Sequence, residues 1–116
     1  MSPSAKSVTD NLVAELRRGV LVLAILTQLE DEHYGYALRE NLSQQGLKVP
    51  EGTLYPLLRR LETQGLLESR WQLGEGRPRR YYKTSKAGRK TLAGLTKEWI
   101  FLENALKRIR QGQSGS

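Results

Sequence analysis

The chain has 116 residues, a length suited to one compact domain, and 38% of them are apolar, enough for a core but a modest one that often leans on oligomerisation. It has no cysteine and one histidine, His33, with no His/carboxylate cluster around it; disulfides and thiolate metal sites are excluded, and neither a metal nor a cofactor is expected. The net charge is +7 but uneven: residues 1–58 hold five Lys/Arg against seven Asp/Glu, and residues 59–116 hold fourteen against five, a bias that suits a polyanionic partner or, equally, a solvated cationic surface.

The opening MSPSAKS lacks the apolar segment of a secretion signal. The longest apolar run, GVLVLAIL at 19–26, is too short to span a bilayer. A soluble, cytoplasmic protein with no membrane partner is therefore expected, with polar, disordered ends, the latter at 112–116.

A first helix is predicted over 10–29, capped by Thr9 or Asp10. Its apolar residues include Leu12, Val13, Leu16, Val20, Leu23 and Ile25. Beyond Gly19 it is apolar almost all round, and such a helix needs neighbours on every side, which a second subunit would supply. A second helix over 34–45 carries Leu38 and Leu42 inward and stops at Gly46. A third follows, with Pro50 suited to its first position and Glu51 to the positive end of its dipole. Leu54, Leu57, Leu58 and Leu61 fall at i, i+3, i+4 and i+7, one core-facing stripe, and Gly65 ends the helix.

The period then changes to that of strands, at 66–73 and 79–84, joined by the turn-rich GEGRP. A fourth helix over 85–111 spaces Leu92, Leu95, Trp99, Leu102, Leu106 and Ile109 alternately by three and four, the seam of a helix that pairs with a partner helix. An amphipathic helix lying on its own core would show a similar stripe over a shorter span. The expected architecture is mostly α with a small β-hairpin: a winged helix-turn-helix including the N-terminal helix over 1–84, then a dimerisation helix over 85–111.

On the third helix, Gly52, Pro56, Arg59 and Thr63 lie opposite the leucine stripe, flanked by Thr53 and Arg60 on one edge and by Tyr55 and Glu62 on the other. A recognition helix presents such a surface to base edges in the major groove. Gly52 permits close backbone approach, Thr53 and Tyr55 supply hydroxyls, and Arg59 and Arg60 reach phosphate or guanine. Pro56 lacks an N–H and strains the preceding turn, so either it tilts an irregular first turn outward or the helix begins near Thr53 and keeps the proline in its tolerant first turn. In the hairpin, Arg70, Arg77, Arg79, Arg80 and Lys83 outnumber Glu68 and Glu75, a pattern suited to phosphate or minor-groove contact, or to keeping an edge strand soluble. Tyr34, Gly35 and Tyr36 open the second helix, whose N-terminus is able to receive a phosphate; Tyr34 is equally suited to be a core ring.

The stretches EGTLYPLLRRLETQGLL and GRPRRYYKTSKAG, with YGYALRE before them, resemble the PadR family of bacterial transcriptional regulators. The resemblance runs from the first helix to the fourth. It implies a homodimer of winged helices joined through helix one (Leu12, Leu16) and the C-terminal helix (Leu92 to Ile109), bound to double-stranded DNA at a palindromic operator as a repressor. The single C-terminal helix resembles the family's short subgroup. Some short members resemble multidrug sensors with a tryptophan near the dimer axis, and Trp99 stands at the matching place, so a small flat aromatic ligand between two such rings is a further expectation. Thr84-Ser85 stands where the family often has leucine then threonine; Ser85 still caps, but Thr84 is expected to pack less well and to alter the junction. The alternative function is a winged-helix module for protein contacts without DNA binding. An enzyme is not expected, since the chain offers no phosphate-binding glycine loop and no convergent acid–base pair.

Overall fold

The computed structural model describes residues 4–74 and 76–114. The chain forms α1 (Ala5–Gln28), β1 (His33–Tyr34), α2 (Gly35–Gln44), α3 (Glu51–Thr63), β2 (Leu67–Leu73), β3 (Pro78–Thr84) and α4 (Lys86–Ser114). The three strands make an antiparallel sheet in the order β1-β3-β2. β2 and β3 are in register from Leu67↔Thr84 to Leu73↔Pro78, and β1 adds His33↔Tyr82 and Tyr34↔Tyr81.

The leucine stripes meet in one core. Leu38 and Leu42 of α2 and Leu54, Leu57, Leu58 and Leu61 of α3 are buried against Ile25, Leu26 and Leu29. Gly46 and Gly65 follow α2 and α3 with φ of 95° and 81°, a backbone region closed to most side chains, and so mark the helix ends. Two-residue β1 escapes sequence pattern altogether. It pairs because the chain before α2 passes beside β3, and a period-2 signal needs more than two residues.

Several boundaries differ from expectation. α1 starts at Ala5, because Ser4 rather than Thr9 or Asp10 caps it; the Ser4 hydroxyl accepts from the Ser7 N–H at 3.1 Å. The polar first turn has no apolar periodicity to announce it. Pro50 is the N-cap of α3 rather than its first helical residue. The helix therefore begins before Thr53, and Pro56 lies inside it beyond the first turn. The helix continues through Pro56 without a break, so no separate irregular turn is present. The proline is exposed there, which leaves the Gly52 carbonyl without its helical donor on the solvent side. At the other end, α4 runs to Ser114, so 112–114 are helical rather than tail. The expectations for residues 1–3, 115–116 and Glu75 fall outside the described residues.

The junction between hairpin and α4 is tighter than its composition promises. Thr84 is 1% exposed; its hydroxyl donates to the Leu26 carbonyl at 2.8 Å and its N–H to the Leu29 carbonyl at 2.7 Å. Thr84 is therefore fully packed, contrary to expectation, and its side chain adds a tie to α1 that a leucine would lack; the backbone bond to Leu29 would be open to either residue. The Ser85 hydroxyl accepts from the Gly88 N–H at 2.9 Å and donates to the Gly65 carbonyl at 2.6 Å. Gly88 permits this closeness, since a Cβ there would stand 2.1 Å from the Leu66 carbonyl oxygen.

Two arms leave this body. Residues 5–19 of α1 are exposed throughout, and so is most of α4 beyond Leu95. The radius of gyration is 17.6 Å, against about 13 Å expected of a compact chain of this length. The arms carry Leu12, Leu16, Trp99, Phe101, Leu102, Leu106 and Ile109, each 45–73% exposed. Leu92 is buried in the chain's own core and Leu95 packs against it, so the first two positions of the expected seam are used within the protomer. Among the described residues no helix is long and apolar enough to cross a membrane, and no group of three metal-binding side chains occurs.

Candidate nucleic-acid interface

The burial of its four leucines fixes which side of α3 faces out. Gly52, Thr53, Pro56, Arg59, Arg60 and Thr63 are all exposed, as the helical wheel requires. Among the described residues, no side chain forms a hydrogen bond or ion pair with the Arg59 or Arg60 guanidinium, so both groups are presented with their donors unspent. Tyr55 and Glu62 are half-buried at the other edge. The Tyr55 ring lies over the start of α2, and a Cβ on Gly35 would come within 2.6 Å of it. Tyr55 thus fills a gap between α2 and α3, and its ring is wedged rather than offered.

β3 divides the hairpin's cations by the alternation of its strands. Arg80, Tyr82 and Thr84 point toward α3 and the core; Arg79, Tyr81 and Lys83 point away. On the outward face, Arg79 lies over the Tyr34 ring at 4.7 Å and Arg70 over Tyr81 at 5.1 Å. Tyr34 is stacked with Tyr36, centroids 6.5 Å apart, and meets Tyr81 edge-on at 5.7 Å. Tyr34 is the N-cap residue of α2 and half-buried, between the two roles expected of it, while Tyr36 is 55% exposed. Arg70 is committed to Glu32: its Nε donates to Oε2 at 2.8 Å and its Nη2 to Oε1. That hydrogen bond, aided by the charge of the guanidinium, holds the Glu32 carboxyl below its ordinary pKa and raises that of Arg70. Arg77 and Lys83 are exposed and make no ion pair among the described residues.

Arg80 does not share that exposure. Its Nη2 donates to Glu62 Oε1 at 2.9 Å and its Nε to Ser69 Oγ at 3.0 Å. It belongs to the inward set, and the expectation that it stands ready for a duplex meets a guanidinium already engaged. Strand alternation counted back from buried Thr84 places it there, whereas composition alone ignores faces and makes one cluster of Arg79-Arg80. Beneath it, burial raises the Tyr82 hydroxyl above its usual pKa, although the Arg80 charge opposes the shift.

A groove of about 620 Å³ runs between the middle of α1 and the flank of α3. Val13, Arg17 and Leu21 line one wall, and Thr53, Pro56 and Arg60 the other. Helical periodicity within single elements could not reveal it, since it exists only where two elements diverge. Trp99 is not part of it; that ring is 45% exposed on the α4 arm.

A helical trio whose third helix turns basic and polar residues outward, followed by a two-stranded wing and a further helix, defines a winged helix-turn-helix protein. Residues 22–94 match the transcriptional regulator PadR-like family, and the chain belongs to that family. It is 42% identical over 101 residues to the transcriptional regulator Rv3488 of Mycobacterium tuberculosis, an alignment covering 86% of this chain and 92% of that protein. Among solved structures, a PadR family transcriptional regulator from Eggerthella lenta is similar at 40% identity with a TM-score of 0.83, covering 91% of this chain and 95% of the other. A PadR-like transcription factor from Bacteroides fragilis is similar at 35% identity and a TM-score of 0.75, covering 85% and 98%. The protein is a PadR-like transcriptional regulator with the winged-helix fold.

Proposed function

We propose that two copies of this chain bind a palindromic operator, with α3 of each in a major groove and each wing on the flanking backbone, and that binding represses transcription. The observation that carries this reading is the outward strip of α3, where Gly52, Thr53, Pro56, Arg59 and Arg60 are exposed together, next in the fold to a wing on which Arg77, Arg79 and Lys83 are exposed as well. Dimerisation draws support from the arms. Leu12 and Leu16 are 59% and 73% exposed in one chain, and Leu102, Leu106 and Ile109 are 49–61% exposed. Apolar residues so arrayed on exposed helices mark a protein interface. A two-fold dimer gives two recognition helices one duplex turn apart, about 34–36 Å, which is what a palindromic site requires.

The same arms suggest how a signal enters. Trp99 lies in the seam, so two copies bring two indole rings toward the dyad, where a small flat aromatic ligand fits between them. A ligand that favours a different α4 crossing changes the spacing of the two α3 helices and releases DNA to the extent of its preference for that state.

The test is fluorescence anisotropy on a labelled duplex carrying the protein's own upstream region. Selective, salt-sensitive binding is expected. Replacing Arg77 and Arg79 with glutamine weakens it and flattens the log–log salt slope by about 0.9 for each phosphate no longer neutralised, while the dimer survives. A wild-type protein with no preference for that duplex over a scrambled one removes the reading.

A further inference from the structure

The wing is tied to the recognition helix by one carboxylate. Glu62, in the last turn of α3, accepts from Arg80 Nη2 of β3 at 2.9 Å and from the Ser69 hydroxyl of β2, while Arg80 Nε donates to that same hydroxyl at 3.0 Å. The three side chains close a ring across α3, β2 and β3. Its position gives it leverage. Leu67 is the last buried residue of β2 and Tyr82, opposite Ser69, the outermost buried residue of β3; beyond that pair the hairpin leaves the core. Among the described residues, the side-chain hydrogen bonds between α3 and the hairpin are the two that Glu62 accepts.

The ring is also sheltered. The Arg80 and Glu62 side chains are 35% and 26% exposed, whereas the pairs Arg39–Glu51, Arg70–Glu32 and Lys107–Glu103 each leave one partner more than half exposed. Exposed pairs contribute little, so this is the pair with enough burial to fix a geometry. The guanidinium is further bracketed by the Trp71 and Tyr82 rings at 5.6 and 5.7 Å.

We infer that Glu62 and Arg80 are positioning residues for DNA binding: they set the angle between wing and α3, so that Arg59 and the outward wing cations meet one duplex together. The inference rests on the DNA-binding reading above. The rival role for a cation of the wing is that of a phosphate ligand, and it makes opposite predictions. If Arg80 were a phosphate ligand held back by Glu62, Glu62→Gln would free it and remove a negative charge near the duplex. Binding would tighten and its salt slope would steepen. As positioning residues, Glu62 and Arg80 act only on the specific complex. Glu62→Gln then weakens binding to the protein's own upstream duplex roughly tenfold, the scale of one broken hydrogen bond to a charged group. Affinity for a scrambled duplex stays as in the wild type, because no cation is removed, and the salt slope on the specific duplex does not steepen, because a misplaced wing neutralises no additional phosphate.

Arg80→Lys supplies the second arm and keeps the charge. A lysine serves a phosphate nearly as well but cannot fork to Ser69 and Glu62 at once. The positioning role predicts the same loss of selectivity for Arg80→Lys as for Glu62→Gln, and the phosphate role predicts little change. Anisotropy on both duplexes over a salt series, with active concentration from stoichiometric titration, reads all of this. Circular dichroism checks the fold, and if Glu62→Gln fails to fold, Arg80→Lys decides. Tighter binding by Glu62→Gln, or wild-type selectivity in Arg80→Lys, overturns the inference. A wild-type chain without selectivity instead overturns the DNA-binding reading, so the two failures are distinct.

Discussion

The two halves of α4 carry one leucine rhythm and meet opposite surroundings. Leu92 is 8% exposed and sits in the core, with Leu95 packed beside it, while Leu106 and Ile109 are 53% and 61% exposed. α1 repeats the contrast in reverse, with Leu12 and Leu16 out and Ile25 and Leu26 fully buried. A repeating apolar stripe states that a face will be covered. It does not state whether the cover comes from the same chain, because the spacing of side chains along a helix is the same in both cases.

Substitution separates the halves. The largest effect is expected from Leu92→Ala, which opens a cavity in the core and costs about 2–5 kcal/mol of stability. Its thermal shift should be the same at every protein concentration, since Leu92 packs within its own chain. Leu106→Ala removes a residue that has no core to leave. Its effect should appear as a weaker dimer in analytical ultracentrifugation, and the melting temperature should depend more steeply on protein concentration than in the wild type. If Leu106→Ala instead destabilises equally at all concentrations, the outer half of α4 is not an intersubunit surface and the comparison collapses.

The smallest effect tests the outward side of the wing. Arg70 holds the Glu32 carboxyl below its ordinary pKa, so folding favours the ionised form. The stabilisation is fully present above the carboxyl's unfolded pKa and is lost as pH falls through the lowered folded value. Both groups are solvent-facing, so the contribution is small. Glu32→Gln should melt slightly below the wild type at neutral pH and the difference should vanish under acid conditions. A gap that widens on acidification contradicts the assigned pairing.

Much of the site is legible in the residues alone, and the limits fall at definite places. The outward strip of α3 follows from the leucines at 54, 57, 58 and 61, because one buried stripe on a helix determines the opposite one. Arg79 and Arg80 look alike in the sequence because charge counts carry no direction. Their separation into an outward and an engaged cation comes from strand alternation anchored at Thr84. Glu62 stands in the sequence only as a flanking residue. Its partners, Ser69 and Arg80, are seven and eighteen positions away, on strands whose register nothing local announces.

By itself the sequence determined the helices, the hairpin, the stops at Gly46 and Gly65, and the sign of each surface. These depend on neighbours a few positions apart, where periodicity and backbone freedom act. Only the tertiary structure decided which apolar stripes the chain satisfies within itself, how Thr84 and Ser85 bind hairpin, α1 and α4 together, and that a single carboxylate joins the wing to α3. Those depend on where distant segments come to rest, and contacts of that range are set by the packing of the whole fold rather than by any stretch within it.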